Sequence, residues 1–217
     1  MNKVSVIMAN YNNEIYLEKA INSILAQTYR NLELIIIDDC SDDNSLTVIK
    51  NLMMYDKRIQ LIINDKNCGP AKSRNKGIFK SVGEWIAILD SDDYASPDRL
   101  EKQINFIENK DKIVLVGSNC CSIDENGMVI KYHQYPVMNI MLKRNLRIKY
   151  NFPPHSSMIY KSEVIKKIGG FNERFERSED FDLWLRLEKY GEFALVSDNL
   201  IKLRIHKNNI SNANGGD

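Results

Sequence analysis

Three carboxylates fall within four residues at Asp90-Ser91-Asp92-Asp93, directly after the apolar run Trp85-Ile86-Ala87-Ile88-Leu89. A short apolar run bounded by Gly83 and polar residues reads as a buried strand. The acids then sit at the strand's C-terminal end, where open α/β sheets bind ligands. Like charges this close repel unless a cation joins them. Hard divalent cations prefer carboxylate oxygens, so metal binding is the chemistry this spacing suggests. The competing reading is a turn whose acids cap the helix starting near Pro97. The density of charge after an apolar strand favours the metal.

Polar residues also follow two earlier apolar runs. Ala9-Asn10-Tyr11-Asn12 comes after Val4-Ser5-Val6-Ile7-Met8, and Asp38-Asp39 after Leu32-Glu33-Leu34-Ile35-Ile36-Ile37. In a parallel sheet such loops share one edge and can converge on a single ligand. The phosphate-loop pattern GxxxxGK[ST] and the dinucleotide pattern GxGxxG are both absent. A nucleotide would need other groups: an aromatic face at Tyr11, an acceptor at Asp39 and a metal at Asp92 for its phosphates. Asp38 and Asp39 equally suit a turn capping the helix that begins near Ser45, and Asp42 and Asp43 read as caps. Glu179 and Asp180 precede another helical pattern, where acids complement the helix dipole. That setting favours the charged carboxylate and opposes a raised pKa.

The elements that must position these groups alternate along the first half of the chain. Strands are expected at residues 4–8, 32–37, 59–63 and 85–89. Helices are expected at 16–26, 46–54, 70–81 and 97–108, the third starting near Gly69-Pro70 because proline suits a first helical turn. Repeated β-α units imply a mostly parallel sheet with helices on both faces. The second half is less regular. It shows a strand at 114–120, a hairpin over 122–132 around Glu125-Asn126-Gly127, a short helix at 162–167 and a helix at 181–190 that stops at Gly191. Residues 140–149 carry Lys143, Arg144, Arg147 and Lys149 among apolar residues. They read first as an amphipathic helix with a solvated basic face, and second as a contact for an anionic membrane surface. The tail 208–217 is polar and expected to fray. Trp85 and Trp184 read as core residues.

Composition sets the outer limits. The chain has 217 residues, 43% hydrophobic and 27% charged, an ordinary balance for a globular protein. A net charge of +1 gives no electrostatic case for nucleic acid. No apolar run approaches the ~20 residues that span a bilayer, and Met1-Asn2-Lys3-Val4 leads into a strand pattern rather than a signal peptide. Cys40, Cys68, Cys120 and Cys121 show no CxxC pairing, so neither a zinc site nor a disulfide framework is expected. A reducing cytosol is the simplest compartment.

Taken in order, five stretches resemble glycosyltransferase family 2. They are Val4-Ser5-Val6-Ile7-Met8-Ala9-Asn10-Tyr11-Asn12, Ile36-Ile37-Asp38-Asp39-Cys40-Ser41-Asp42, Asn67-Cys68-Gly69-Pro70-Ala71-Lys72-Ser73-Arg74-Asn75-Lys76-Gly77, Leu89-Asp90-Ser91-Asp92-Asp93 and Glu179-Asp180-Phe181-Asp182-Leu183-Trp184-Leu185-Arg186. Each alone is weak; the ordered set is specific and covers nearly the whole chain. The resemblance implies the GT-A fold in a single domain, with residues 1–118 binding the donor and 119–207 supplying the acceptor side and the catalytic base. It implies an inverting transfer from a nucleoside-diphosphate sugar, a UDP-sugar first, to a glycan or polyprenol-linked acceptor in cell-surface polysaccharide synthesis. Work at the cytoplasmic face of the membrane would suit such an acceptor.

By the same resemblance Ala9, Asn10, Tyr11 and Asp39 hold the nucleobase. Arg74 lies near the ribose or diphosphate, with Lys72 a neighbour, and Asp90 contacts the ribose; Gly69 and Ser91 complete the donor set. Asp92 binds Mn2+ or Mg2+, joined by His206 of Leu203-Arg204-Ile205-His206. Asp180 is the catalytic base. His155, after Pro153-Pro154, and Glu179 fall on the acceptor side. One acid at a base position suits inversion, since a retaining hydrolase needs two carboxylates flanking the bond. Two departures stand out: Ala9 where the family commonly has proline, and Cys40 where it commonly has glycine. Both predict adjusted loop geometry. A sugar-phosphate nucleotidylyltransferase is the competing enzyme, but it usually carries a Gly-rich, Arg-containing segment where Ala9-Asn10-Tyr11-Asn12 stands. A catalytically inactive nucleotide-sugar-binding subunit is the non-enzymatic alternative.

Overall fold

The computed structural model describes residues 3–150, 152–175 and 177–207. The tail expected to fray, 208–217, lies outside them. Strands β1 (Val4–Asn10), β2 (Leu32–Asp38), β3 (Ile59–Ile63) and β4 (Trp85–Ile88) pair in parallel in the order β3-β2-β1-β4. They alternate with α1 (Glu14–Leu25), α2 (Ser45–Tyr55) and α3 (Pro70–Lys80). There follow β5 (Tyr94–Ala95), α4 (Arg99–Ile107), β6 (Ile113–Ile123), β7 (Val129–His133) and α5 (Asn139–Arg147). A 3-10 turn at His155–Ser157 leads into β8 (Ile159–Lys161), α6 (Ser162–Lys167), α7 (Glu179–Leu187) and β9 (Glu192–Arg204).

Beyond β4 the sheet becomes mixed. β8 runs antiparallel to both β4 and β6, β9 parallel to β6, and β5 antiparallel to β9, while β7 forms the expected hairpin with β6. The parallel arrangement therefore holds for the first half, and antiparallel pairings close the second onto it.

Both sheet faces are covered, so the central strands are apolar on both sides. Val4, Val6 and Met8 pack with Leu17, Ala20, Ile21 and Ile24 of α1 on one face. Ile7, Ile35 and Ile37 meet Ala71 and Ile78 of α3 on the other, together with Leu142 and Leu146 of α5 and Leu183, Trp184 and Leu187 of α7. Helix α3 lies very close to the sheet. A Cβ on Gly77 would stand 2.7 Å from both Ile37 Cδ1 and Ile7 Cγ2.

Register places the site. Asn10 pairs with Asp38 and Ile7 with Ile88, so β1, β2 and β4 end side by side, and their polar loops emerge at one edge. β9 reaches the same place from the other half, because its pairing with β5 sets Lys202 opposite Tyr94, just past the acidic loop.

Helix α5 forms with Leu142 and Leu146 buried and with Arg144, Arg147 and Lys149 exposed, the amphipathic arrangement expected for 140–149. Lys143 donates to the backbone carbonyls of Glu188 and Gly191, and Arg147 pairs with the Glu188 carboxylate. The exposed surface also carries Ile140 and Met141, with Val137, Met138, Ile148 and Tyr150 exposed beside them. Among the described residues no helix is long and apolar enough to cross a membrane.

Candidate active site

The acidic loop after β4 gives each of its carboxylates a different partner. Asp90 accepts from Arg74 Nη2 at 2.7 Å and from Ser156 Oγ at 3.0 Å. Asp92 Oδ2 lies 3.0 Å from His206 Nε2. Asp93 Oδ2 lies 2.6 Å from the same Ser156 Oγ, and Asp93 accepts from the Arg204 backbone N–H at 2.8 Å. Their charge states differ accordingly. Burial works against ionised Asp90, but the Arg74 guanidinium overrides it and holds the carboxyl below the usual range. Burial and the neighbouring Asp90 raise Asp92, against the His206 hydrogen bond. Burial, with Asp92 and Asp90 alongside, raises Asp93 well above ordinary carboxylates. Asp93 is thus a turn support, while Asp92 carries a charge that a cation would relieve.

Arg74, on α3, ties this loop to the start of α7. Its Nη1 donates to Glu179 Oε1 at 2.7 Å while Nη2 holds Asp90. The next residue, Asp180, accepts from the Phe181 backbone N–H at 2.8 Å. Its pKa is raised to about 6, chiefly by burial and further by Glu179, against the Phe181 N–H and Arg74. The helix-terminus argument in the sequence pointed the other way; desolvation outweighs the first-turn dipole. The residue before the helix, Ser178, adopts φ 59°, a left-handed conformation uncommon for serine.

The first two loops are built more from mutual hydrogen bonds than from free acids. Asn10 Nδ2 donates to Asp38 Oδ2 at 2.9 Å, and its Oδ1 is buried without a protein partner. Asp39 accepts from Asn64 Nδ2 at 2.6 Å, Cys68 N at 2.9 Å and Gly69 N at 2.8 Å, which pins the loop leading to α3. Tyr11 keeps an exposed ring. Cys40 sits at φ 65°, so the position where glycine is common is one where a Cβ is strained by about 1 kcal/mol. His155 is buried, edge-on to Phe171 with ring centroids 5.2 Å apart.

One open cleft of about 1330 Å³ collects these groups. Ala9, Asn10, Tyr11, Asp39, Gly69, Arg74, Asp90, Ser91, Asp92, His155, Glu179, Asp180 and His206 all line it. Lys72 is not among its lining residues.

Residues 5–169 match the model of Glycosyl transferase family 2. The chain belongs to that family. Similar proteins include an uncharacterized glycosyltransferase, MJ1057, of Methanocaldococcus jannaschii, 38% identical over 205 residues that cover 93% of this chain and 70% of that one. The putative glycosyltransferase EpsE of Bacillus subtilis is 35% identical over 192 residues, 87% of this chain and 68% of its own. Among solved structures, S. aureus TarS 1-349 in complex with UDP-GlcNAc superposes with a TM-score of 0.80 at 22% identity, over 98% of this chain. Mannosyltransferase PcManGT from Pyrobaculum calidifontis, in complex with GDP-Man and Mn2+, superposes with a TM-score of 0.73 at 17% identity, over 95% of this chain. These two show that the fold is GT-A. The chain spans 61% of that TarS chain and 58% of PcManGT.

Within this family 2 chain, several groups that shape the site escaped the sequence reading. Arg204 was noticed only as part of an R-x-H segment. It spans from the Asp92 carbonyl to the carbonyls of Asp124 and Glu125, with its guanidinium 4.4 Å over the Tyr16 ring. Ser156 joins Asp90 to Asp93, and its only sequence signal is adjacency to His155. Arg177 and Lys207 add positive charge to the cleft wall; Lys207 follows His206 directly, which is the signal that would have found it.

Proposed function

We propose that this chain transfers a sugar, with inversion, from a nucleoside-diphosphate sugar to a hydroxyl of a glycan or polyprenol-linked acceptor. The observation that carries the reading is one cleft lined by both the Asp92–His206 pair and Asp180, with Arg74 linking their supports. TarS with UDP-GlcNAc and PcManGT with GDP-Man supply the donor class by analogy, and a UDP-sugar is the first candidate.

Asp92 and His206 fit a divalent cation, Mn2+ or Mg2+: one oxygen and one nitrogen donor 3.0 Å apart, with the carboxyl raised by burial and Asp90. Among the described residues no three His, Cys, Asp or Glu side chains form a complete protein cage. That agrees with an ion that draws its other ligands from substrate phosphates. When bound, the ion offsets charge on the departing diphosphate. Tyr11 offers its ring to the base, beside the loop that Asp39 pins. Arg74 fixes Asp90 for the ribose and brings positive charge toward the leaving group. Asp180, ionised above about pH 6, takes the acceptor hydroxyl's proton as that oxygen attacks. A single base acting in line inverts the anomeric carbon.

The acceptor side includes α5. Its outward Ile140 and Met141, flanked by Arg144 and Lys149, suit an anionic lipid surface, as a polyprenol-linked acceptor at the cytoplasmic face of the membrane requires. The donor assignment is tested by calorimetry of UDP and GDP with and without Mn2+. Binding should strengthen with the metal in wild type and lose that dependence in Asp92→Ala; binding indifferent to metal in wild type removes the metal assignment.

A further inference from the structure

Three side chains beneath the cleft form a directed hydrogen-bond chain. Trp184 Nε1 donates to Tyr160 Oη at 2.9 Å, and Tyr160 Oη lies 3.4 Å from His155 Nδ1, a long contact but within reach. An indole nitrogen can only donate, so Tyr160 receives from Trp184 and has its own O–H left to give. Tyr160 is fully buried, and His155 Nδ1 is the acceptor available to it. The reverse tautomer would aim two donors at one phenol oxygen and strand the phenol proton in the core, which is costly. Nδ1 therefore carries no proton. Burial, aided by the Arg74 guanidinium, holds the imidazole down at about 3, so the ring is neutral at any ordinary pH. Its one proton sits on Nε2.

That Nε2–H is buried and has no hydrogen-bond partner in the protein, yet His155 lines the cleft. A buried donor left unpaired calls for an explanation. The neighbouring residue, Ser156, holds Asp90, and Trp184 lies on the helix that carries Asp180. His155 thus borders both the residue that supports the acidic loop and the helix that carries Asp180. Its neutrality matters too. A neutral N–H is a donor without charge, which suits a sugar hydroxyl or an amide carbonyl oxygen.

We propose that His155 is a specificity-determining residue whose Nε2–H donates to a hydroxyl or carbonyl oxygen of the donor's sugar, with Tyr160 and Trp184 as positioning residues that fix its tautomer. The proposal rests on the nucleotide-sugar reading above, deepens it by naming what reads the sugar, and moves His155 from the acceptor side expected of it to the donor's sugar.

The test is calorimetry with Mn2+ on two ligand pairs, UDP against UDP-GlcNAc and GDP against GDP-mannose. In His155→Ala the nucleotide-sugar affinity should fall roughly tenfold, the size of one neutral hydrogen bond, while nucleoside-diphosphate affinity stays unchanged. His155→Gln, whose amide N–H reaches a similar place, should recover most of the loss. Tyr160→Phe should weaken the same sugar increment and move the His155 imidazole pKa upward by NMR, a signature that mere packing would not give. Equal losses for both members of a pair in His155→Ala, or no loss for either, overturn the proposal while leaving the function reading intact. Wild-type protein that binds none of the four ligands overturns both together.

Discussion

Asp180 occupies the first turn of α7, where unpaired backbone N–H groups favour a charged carboxylate, yet it is raised to about 6. Burial decides the outcome, and it has two consequences. Transfer, read as kcat/KM, should fall as pH drops through about 6, because protonated Asp180 cannot accept the acceptor's proton. Asp180→Asn should keep nucleotide binding and lose transfer by at least ~100-fold; retained turnover would place the base elsewhere. The stability sign follows from linkage. A carboxyl whose folded pKa lies above its unfolded value contributes stability below the unfolded value and loses it as pH rises through the folded one. Ionised Asp180 is therefore a burden at neutral pH. Asp180→Asn should stabilise the fold at pH 7.5 by on the order of 1–2 kcal/mol, seen as a higher melting temperature, with the gain vanishing near pH 4. A variant that melts at the same temperature as wild type at pH 7.5 would contradict the burial argument. Arg74 pairs with the neighbouring Glu179. Substituting Arg74 would remove the one guanidinium that both Asp90 and Glu179 share.

At the scale of elements, α3 lies close against the sheet, and Gly77 makes that approach possible. Gly77→Ala pushes a methyl to within 2.7 Å of two isoleucine side-chain ends that are themselves packed, so overpacking of about 1–3 kcal/mol is expected. Thermal or urea unfolding would show it, and an unchanged midpoint would mean the sheet face yields easily. Because α3 also carries Arg74, donor affinity should weaken in the same variant. Helix α5 makes a separate prediction. Ile140→Ser with Met141→Ser should abolish co-sedimentation with anionic vesicles while leaving soluble-donor hydrolysis unchanged, since neither residue lines the cleft. Vesicle binding that persists in that double variant, or in a variant with Lys143, Arg144, Arg147 and Lys149 all neutralised, removes the membrane contact.

The elements also show why the sequence was legible in one half and opaque in the other. β1 to β4 are apolar runs separated by helices with regular spacing, and β3 begins and ends where its residues predict. Helix α7 starts two residues before the predicted 181, which puts both Glu179 and Asp180 in its first turn. β9 was not read at all, although it is the longest strand at 13 residues. Its polar centre, Ser197-Asp198-Asn199, breaks the apolar pattern where the pairing with β6 shifts register. β8, at three residues, is too short for any periodicity to show. Most of the cleft's carboxylates were reachable because they sit in local motifs, Asp39, Asp90, Asp92, Glu179 and Asp180 among them. Arg204 and Ser156 act through backbone carbonyls and carboxylates distant in the chain, and no local pattern announces that.

At the scale of the whole molecule, β9 makes the two halves interdependent. Arg204 bonds the β6–β7 turn to the Asp92 carbonyl, and His206 meets the Asp92 carboxylate, so the acidic loop is braced by the end of β9 and the residues just past it. The sheet runs without interruption from β3 to β5. A ligand gripping Asp92, His206 and the first loops should therefore stabilise both halves at once. Differential scanning calorimetry should show one unfolding transition that moves upward with UDP and Mn2+ together, by about 2.7 kcal/mol when free ligand reaches a hundred times its dissociation constant. Arg204→Ala should keep the single transition but shrink the ligand-induced shift, because the donor loop then lacks its brace. Two separable transitions, only one of them moved by ligand, would instead mean that residues 1–118 and 119–207 fold independently and that the strand pairing across them is weak.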